Sequence, residues 1–178
     1  MSMTAGKTVD VLLSQERLRA RVKELGAAIT RDYAGKAVTL VAVLKGSFVF
    51  LADLVREIDL PVTVEFISIS SYAGTKSTGV VQITSDLTRN VEGEHVIVVE
   101  DIVDTGLTMR YLLENLATRH PASLRLCALL EKPARAQVKI GIDYKGFEIP
   151  DEFVVGYGLD WNGQLRNLPY LGILRLAS

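Results

Sequence analysis

The stretch VVEDIVDTGLT, from Val98 to Thr108, is the part of this 178-residue chain that most clearly predicts its architecture. Its apolar beginning extends the run Val96–Val99 and is typical of a parallel strand buried on both faces. Three acids follow within a short span, at Glu100, Asp101 and Asp104. The Asp-Thr-Gly turn then leads into a helical pattern, so the stretch predicts a strand, a turn and a helix in succession.

The flanking sequence repeats this alternation. An apolar stripe predicts a helix from Gln15 to Tyr33, with Ser14 as its N-cap and Gly35 at its stop. Further helices are predicted at Ser47–Ile58 and Thr108–Thr118, and further strands at Val38–Leu44, Val62–Ile69, Val80–Thr84, Leu124–Leu130, Val138–Tyr144, Phe153–Val155 and Tyr170–Leu174. In the strand Val62–Ile69, we expect Val64, Phe66 and Ile69 to be buried. The alternation predicts an α/β fold with a mostly parallel central sheet flanked by helices, forming one domain over residues 1–178 with a small flap from both chain ends.

Composition argues against several classes of protein. The chain has 20 basic and 21 acidic residues and a net charge of −1, whereas nucleic-acid binders usually carry a basic excess. No apolar run approaches the roughly 18–20 residues that span a bilayer, and the N-terminus lacks a signal-peptide pattern. The single Cys127 cannot form an internal disulfide. We therefore expect a cytoplasmic globular protein that binds neither nucleic acid nor membrane.

The junction between the central strand and the next helix is the first candidate site. Open α/β sheets bind ligands at the carboxyl ends of their strands, and the N–H groups of a helix N-terminus suit a phosphate. Thr105 and Thr108 add hydroxyl donors. The acids are suited to bind sugar hydroxyls or Mg²⁺, directly or through water. A simpler interpretation is a helix capped by Asp104 behind solvated acids, and spacing alone does not separate the two.

The same stretch resembles the signature with which phosphoribosyltransferases bind phosphoribosyl pyrophosphate (PRPP). Four more segments resemble the hypoxanthine-guanine branch of that family, in the family order and over nearly the whole chain from about Asp10 onward. They are Leu44-Lys-Gly46 followed by Phe48–Leu54, Ser70-Ser-Tyr72, Leu130-Glu-Lys132 and Gly146–Asp160. The resemblance implies the type I phosphoribosyltransferase fold. It also implies a purine-salvage enzyme that transfers the phosphoribosyl group of PRPP to hypoxanthine or guanine with Mg²⁺, giving IMP or GMP and pyrophosphate.

By this resemblance, the central junction binds the sugar phosphate. Glu100 and Asp101 hold the ribose hydroxyls, and the 5′-phosphate is wrapped by Asp104, Thr105, Gly106, Leu107 and Thr108. Asp104 is also the candidate catalytic residue, which accepts a proton from N7 of the purine or hydrogen-bonds to it. Because adjacent side chains of a regular strand point to opposite faces, we expect Glu100 and Asp101 to face one ligand only if the strand has ended there.

Two loops are implied to bind pyrophosphate and to close the site. Lys45 and Gly46 follow the first buried strand, and the peptide bond before Lys45 is often cis in similar enzymes. Arg166 supplies a further cation for the phosphate oxygens. Ser71 and Tyr72 begin a polar stretch that resembles the loop that closes over the site during turnover.

The purine and the metal are implied to bind near the last motif. Lys132 donates to the exocyclic O6 and so selects 6-oxopurines, since an ammonium has no acceptor function. Phe153 stacks on the base and Val154 offers its main chain. Asp160 belongs to the same pocket. The candidate Mg²⁺ ligands are Asp160, Glu100 and Asp101.

Two other functions fit the same scaffold. One is a regulatory protein that binds PRPP or a nucleotide to control gene expression, although Asp104, Lys132 and Asp160 are all present and the net charge is −1. The other is a transferase that acts on xanthine, orotate or uracil, against which Lys132 and the segment Gly146–Asp160 favour a 6-oxopurine. Similar enzymes form homodimers or homotetramers, so we expect a homo-oligomer. The apolar segment Phe48–Leu51 is suited to either a core or an interface.

Overall fold

A computed structural model describes residues 7–71 and 81–176; Tyr72 and most of the predicted closing loop lie outside them. The helices are α1 (Gln15–Asp32), α2 (Phe48–Arg56) and α3 (Leu107–Ala117), with a 3₁₀ turn at Pro133–Arg135. The strands are β1 (Lys7–Leu13), β2 (Val38–Leu44), β3 (Val62–Ser71), β4 (Val81–Ser85), β5 (His95–Val103), β6 (Ser123–Glu131), β7 (Tyr144–Glu148), β8 (Val154–Val155) and β9 (Leu171–Leu176).

The larger sheet has six strands in the order β4-β3-β2-β5-β6-β7. Every neighbouring pair is parallel except β3 and β4, which run antiparallel. The predicted α/β fold with a mostly parallel sheet is therefore confirmed. Because β2, β5 and β6 are parallel neighbours, their carboxyl ends meet at one edge, and β5 brings the acids to the middle of that edge.

Helices cover both faces of this sheet. On one face, Leu40, Ala42 and Ile97 join an apolar cluster with residues of α1 and α2. On the other face, Val41 and Val98 pack with residues of α3. Alternate residues of one strand point to opposite faces, so the continuous apolar sequence of β2 and β5 matches a sheet that is covered on both sides.

The predicted flap is also present. β1 pairs antiparallel with β9, which in turn pairs antiparallel with β8, so both ends of the described chain meet in a three-stranded sheet. β8 consists of Val154 and Val155 and follows Phe153, so one candidate base-binding segment is part of the flap. None of the helices in residues 7–71 and 81–176 is long and apolar enough to cross a membrane.

Local signals set the helix boundaries closely. The hydroxyl of Ser14 accepts a hydrogen bond from the backbone N–H of Arg17 at 3.3 Å, as predicted for the N-cap of α1. α1 ends at Asp32, and Gly35 lies beyond it with a φ of +75°. In α2, Phe50 and Leu51 are buried in the core whereas Phe48 is 44% exposed.

The predicted inward face of β3 is wrong. Glu65 and Ile67 are buried, Val64 and Ile69 are half-buried, and Phe66 is 44% exposed. Phe66 pairs with Ala42, which belongs to the apolar cluster of α1 and α2, but Phe66 itself does not join that cluster. The burial of Glu65 is offset because the backbone N–H and the hydroxyl of Thr88 donate to its carboxylate at 2.9 to 3.0 Å.

The predicted strand Val138–Tyr144 is also wrong, since β7 begins only at Tyr144. The backbone N–H of Val138 donates to Thr105 O at 3.1 Å, and that of Asp143 donates to Leu126 O at 3.0 Å. Ile140 and Ile142 pack against the cluster beside α3. Their apolar side chains therefore cover the core without forming a strand ladder.

Candidate active site

The turn between β5 and α3 depends on a glycine. Gly106 is the N-cap of α3, with a φ of +82° that L side chains rarely adopt. A Cβ atom at this position would lie 2.4 Å from the carbonyl oxygen of Val138. The hydroxyl of Thr105 accepts from the backbone N–H of Leu107 at 3.4 Å. The simpler interpretation of Asp104 as the helix cap is therefore wrong, and the first-turn N–H groups of α3 have no intrahelical acceptor.

Glu100 and Asp101 line the same cavity although β5 continues to Val103. The strand has therefore not ended at the two acids, and a ligand contact shared by both carboxylates stays a prediction. The carboxylates fold back onto the backbone: Asp101 accepts from the N–H of Ile102 at 2.9 Å, and Glu100 accepts from the N–H of Asp101 at 3.2 Å. Burial, reinforced by the neighbouring Asp101, raises the pKa of Glu100 well above its ordinary value.

The loop after β2 packs directly against these acids. The peptide bond between Leu44 and Lys45 is cis. A Cβ atom on Gly46 would lie 1.5 Å from Asp101 Oδ2, and one on Gly158 would lie 2.1 Å from the carbonyl oxygen of Gly46. The two glycines thus let the candidate pyrophosphate loop lie between Asp101 and the segment that leads to Asp160.

Asp160 and Arg166 pair with each other across this segment. Arg166 Nη2 lies 2.5 Å from Asp160 Oδ1, and Nη1 donates to the carbonyl oxygen of Gly158 at 2.6 Å. The backbone N–H of Gly163 donates to Asp160 Oδ2 at 2.6 Å. A candidate metal ligand and a candidate pyrophosphate cation are therefore held together at one wall of the cavity.

The candidate base pocket lines another part of the same cavity. The backbone N–H of Lys132, just after β6, donates to Val103 O at 3.0 Å. Its side chain is 11% exposed, with Nζ 4.0 Å from Asp151 Oδ1. Phe153 is 54% exposed, whereas Val154 is buried in β8. An aromatic ring left open on a cavity wall offers a face on which a planar base can stack.

Sequence reasoning missed two charged residues beside this pocket. Arg135 Nε lies 2.6 Å from Asp104 Oδ1, and Arg135 Nη1 lies 3.5 Å from Asp151 Oδ1. The Asp104 carboxylate raises the pKa of Arg135, first through its charge and then through this hydrogen bond. Arg135 is 31 positions from Asp104 in sequence, so no local spacing signal connects them; the only local signal is the breaker Pro133, which fixes the turn carrying Arg135.

One cavity of about 730 Å³ joins the candidate residues. It is lined by Lys45, Gly46, Glu100, Asp101, Asp104, Lys132, Arg135, Phe153, Val154, Asp160 and Arg166, among others. A smaller cavity of about 210 Å³ shares Asp104 and reaches Thr105, Gly106 and Thr108 at the start of α3. Leu107 begins α3 beside these cavities without lining either. Ser71 ends β3, and Tyr72 lies outside the described residues.

The family model described as a phosphoribosyl transferase domain matches residues 8–162. The chain belongs to the phosphoribosyltransferase family. It is 49% identical over 168 residues to a hypoxanthine phosphoribosyltransferase of Haemophilus influenzae, covering 92% of this chain and 94% of that protein. It is 48% identical over 176 residues to a hypoxanthine-guanine phosphoribosyltransferase of Mycobacterium avium, covering 95% and 87%.

A solved structure supports the same family membership. The crystal structure of a hypoxanthine-guanine phosphoribosyltransferase from Bacillus anthracis superposes with a TM-score of 0.89 at 46% identity, covering 95% of this chain and 99% of that one. The predicted membership of the hypoxanthine-guanine branch, and with it the predicted fold of this phosphoribosyltransferase, is confirmed.

The carboxylates of this phosphoribosyltransferase fit a magnesium ion whose coordination a substrate completes. Mg²⁺ is usually held by one or two carboxylates together with phosphate oxygens and waters. Residues 7–71 and 81–176 contain no group of three or more His, Cys, Asp or Glu arranged to hold a metal. Glu100 and Asp101 crowd two carboxylates at one edge of the cavity, and a cation would offset the burial and the neighbouring Asp101 that together raise the pKa of Glu100. The donor set therefore suits a metal that arrives with its substrate.

Proposed function

We propose that this phosphoribosyltransferase moves the 5-phosphoribosyl group of PRPP to hypoxanthine or guanine, giving IMP or GMP and pyrophosphate in purine salvage. One observation carries this proposal: the cavity lined by Lys132, Phe153 and the cations Lys45 and Arg166 shares Glu100, Asp101 and Asp104 with the smaller cavity at the turn before α3. The names of the similar proteins support the choice of substrates.

The sugar phosphate would bind at the end of β5. The first-turn N–H groups of α3, with the hydroxyls of Thr105 and Thr108, are suited to hold the 5′-phosphate. Glu100 and Asp101 would accept hydrogen bonds from the ribose hydroxyls. Gly106 and Leu107 serve this site by shaping the turn, since Gly106 adopts a backbone conformation that favours glycine.

Pyrophosphate would lie against the loop after β2. The ammonium of Lys45 and the guanidinium of Arg166 offer positive charge to a leaving group, and Gly46 lets its backbone approach closely. Asp160, Glu100 and Asp101 would hold Mg²⁺, which supplies charge neutralisation to pyrophosphate when bound. Arg166 would keep Asp160 in place through their ion pair.

The purine would stack on Phe153 between Lys132 and Asp104. Lys132 donates to O6 and the main chain of Val154 meets the other edge of the base, which favours 6-oxopurines. As the ring nitrogen attacks C1 of the ribose, positive charge develops on the base, and the Asp104 carboxylate accepts the N7 proton or hydrogen-bonds to it. Catalysis would rest mostly on positioning and electrostatic stabilisation. Ser71 and Tyr72 would begin the segment that excludes water from this step.

A panel of bases assayed with PRPP and Mg²⁺ tests the proposal. We expect pyrophosphate release with hypoxanthine or guanine and none with adenine, orotate or uracil. A preference for xanthine would show that the substrate is this alternative base and not hypoxanthine or guanine. Binding of PRPP without turnover of any base would favour a regulatory protein on the same fold.

Three other properties stay predictions. We propose that residues 1–178 act as one domain, which is supported by the apolar cluster that contains Leu13 of β1, Leu40 of β2 and Leu171 of β9. We propose a homodimer or homotetramer, for which the exposed Phe48 is suited as a contact residue. The cytoplasm is the compartment that the sequence predicts.

A further inference from the structure

Four charged side chains alternate in sign beside the cavity, and three of them, Lys132, Arg135 and Asp104, line it. Lys132 Nζ lies 4.0 Å from Asp151 Oδ1, and Arg135 Nη1 lies 3.5 Å from the same oxygen. Arg135 Nε lies 2.6 Å from Asp104 Oδ1. The series therefore connects Lys132, which is proposed to donate to O6 of the purine, with Asp104, which is proposed to interact with N7.

We propose that Arg135 is a positioning residue of this transferase. Its guanidinium reaches Asp151 with one nitrogen and holds Oδ1 of Asp104 with another, so that Oδ2 is presented to the purine. Within residues 7–71 and 81–176, Oδ2 of Asp104 has no hydrogen-bond donor. The inference rests on the proposed function, because the purine is the partner that Asp104 is proposed to meet.

The backbone fixes Arg135 relative to both ends of the series. Its N–H donates to the carbonyl oxygen of Lys132 at 3.0 Å, which closes the 3₁₀ turn. The N–H groups of Gln137 and Val138 donate to the carbonyl oxygen of Thr105 at 3.0 and 3.1 Å. The segment that carries Arg135 is thus tied to Lys132 on one side and to the residue after Asp104 on the other.

Stability alone does not account for this arrangement. The side chains of Arg135 and Asp104 are 46% and 40% exposed, and an ion pair this accessible adds little to folding. The same pair borders the cavity, where an arriving base displaces water and strengthens the electrostatic interactions that remain. The pair therefore has its effect on a bound ligand.

The chemistry of the base explains why the two ends of the series are connected. O6 and N7 are neighbouring atoms on one edge of a 6-oxopurine, so their protein partners must stand at a matching separation. Asp151, between the cations Lys132 and Arg135, sets that separation before the base arrives. The planar guanidinium of Arg135 suits this task better than the single ammonium of a lysine, because its separate N–H groups hold two carboxylates in fixed directions.

A double-mutant cycle tests the inference with the full-length enzyme. We expect Arg135→Ala to lower kcat with hypoxanthine about tenfold, the loss of one charge-assisted hydrogen bond. The KM for PRPP should stay within roughly twofold of wild type, since removing a contact made in the transition state leaves ground-state binding unchanged. In the Asp104→Asn background, Arg135→Ala should cause almost no further loss, because residues that act through one another are not additive.

Two further variants make the result specific. Arg135→Lys keeps the positive charge but loses the planar guanidinium with its several donors. Its kcat should therefore lie between those of wild type and Arg135→Ala. Arg119→Ala is the matched control, since Arg119 forms an ion pair with Asp86 at 2.8 Å that does not border the cavity. Its kinetics should match wild type. If Arg135→Ala folds poorly in thermal melts, the cycle is run with Arg135→Lys instead.

Three outcomes would overturn the inference. Wild-type kcat in Arg135→Ala would show that Asp104 needs no support. An equal loss in both backgrounds would show that Arg135 acts independently of Asp104. A rise in the KM for PRPP in both backgrounds would make Arg135 a phosphate-binding residue. IMP formation by the wild type tests the proposed function separately. The cycle itself is judged only on the ratio of each variant's kcat to the kcat of the protein in which the substitution was made.

Discussion

The two edges of the six-stranded sheet, at the amino and the carboxyl ends of its strands, both carry polar groups but arrange them differently. At the amino ends of the strands, Arg125 donates to Asp32 at 3.1 Å and to the hydroxyl of Tyr144 at 2.7 Å, and Tyr144 donates to Asp32 at 3.0 Å. Nearby, the Ser123 hydroxyl lies within hydrogen-bond distance of both Tyr33 and His95. At this edge, the polar side chains named here are hydrogen-bonded to one another.

At the carboxyl ends, the polar groups are arranged around a cavity. Glu100 and Asp101 are adjacent like charges, and burial raises the pKa of Glu100. Asp104 and Arg135 pair at the surface of the same cavity. The amino edge thus joins its polar groups to one another, whereas the carboxyl edge gathers adjacent acids and ion pairs around a cavity that a substrate can enter. Changes at the first edge should alter stability, and changes at the second should alter catalysis.

The largest effect is expected from Asp104→Asn. The amide cannot accept the N7 proton, so turnover should fall by roughly 10²–10⁴, the usual range for loss of a general base. Stopped assays of IMP formation measure this directly. Thermal unfolding should be nearly unchanged, because the lost ion pair with Arg135 is exposed. Near-normal turnover would remove Asp104 from its proposed role.

A smaller loss is expected from Gly46→Ala. The added methyl would lie 1.5 Å from Asp101 Oδ2, so it must displace this carboxylate or the loop. A displacement of about 1 Å near reacting groups can cost as much as 10²-fold in rate, and we expect kcat/KM for PRPP to fall by that order. Gly141→Ala is the control, since among residues 7–71 and 81–176 no atom beyond its chain neighbours lies within 4 Å of its added Cβ. Equal kinetics for the two variants would contradict the proposed packing of the loop on Asp101.

At the amino edge, Tyr144→Phe should have no effect on catalysis and a modest effect on stability. The variant removes the hydroxyl that joins Arg125 to Asp32. Loss of hydrogen bonds to charged groups should lower the free energy of unfolding by about 1–3 kcal/mol, which urea denaturation measures. A fall in kcat/KM comparable to that of Gly46→Ala would show that the two edges are not separate in function.

The smallest effect is expected from Ser14→Ala, away from both edges. The serine hydroxyl caps α1 through the N–H of Arg17, and its loss should cost about 1 kcal/mol of stability. Ser14→Asp, which keeps an acceptor at the N-cap, should restore it. An unchanged unfolding midpoint in Ser14→Ala would mean that the cap adds nothing in this context.

Sequence predicted the elements best where one pattern was sufficient. The continuous apolar run gave the bounds of β2, and the strand, turn and glycine before α3 located the cavity. The end of β5 was missed because Glu100 and Asp101 interrupt the apolar pattern while the backbone continues to pair with β6 through Val103. Alternation in β3 was ambiguous, because it does not tell which face the helices cover. The role of Arg135 depends on a tertiary contact that no spacing reveals.

Calorimetric titration of PRPP into the wild-type protein with Mg²⁺ tests the central claim most directly. The account predicts saturable binding at one site per chain, weakened in Gly46→Ala and retained in Tyr144→Phe. Absence of binding by a folded wild-type protein, or equal affinity in all three proteins, would contradict the claim that the carboxyl edge of the sheet holds the sugar phosphate.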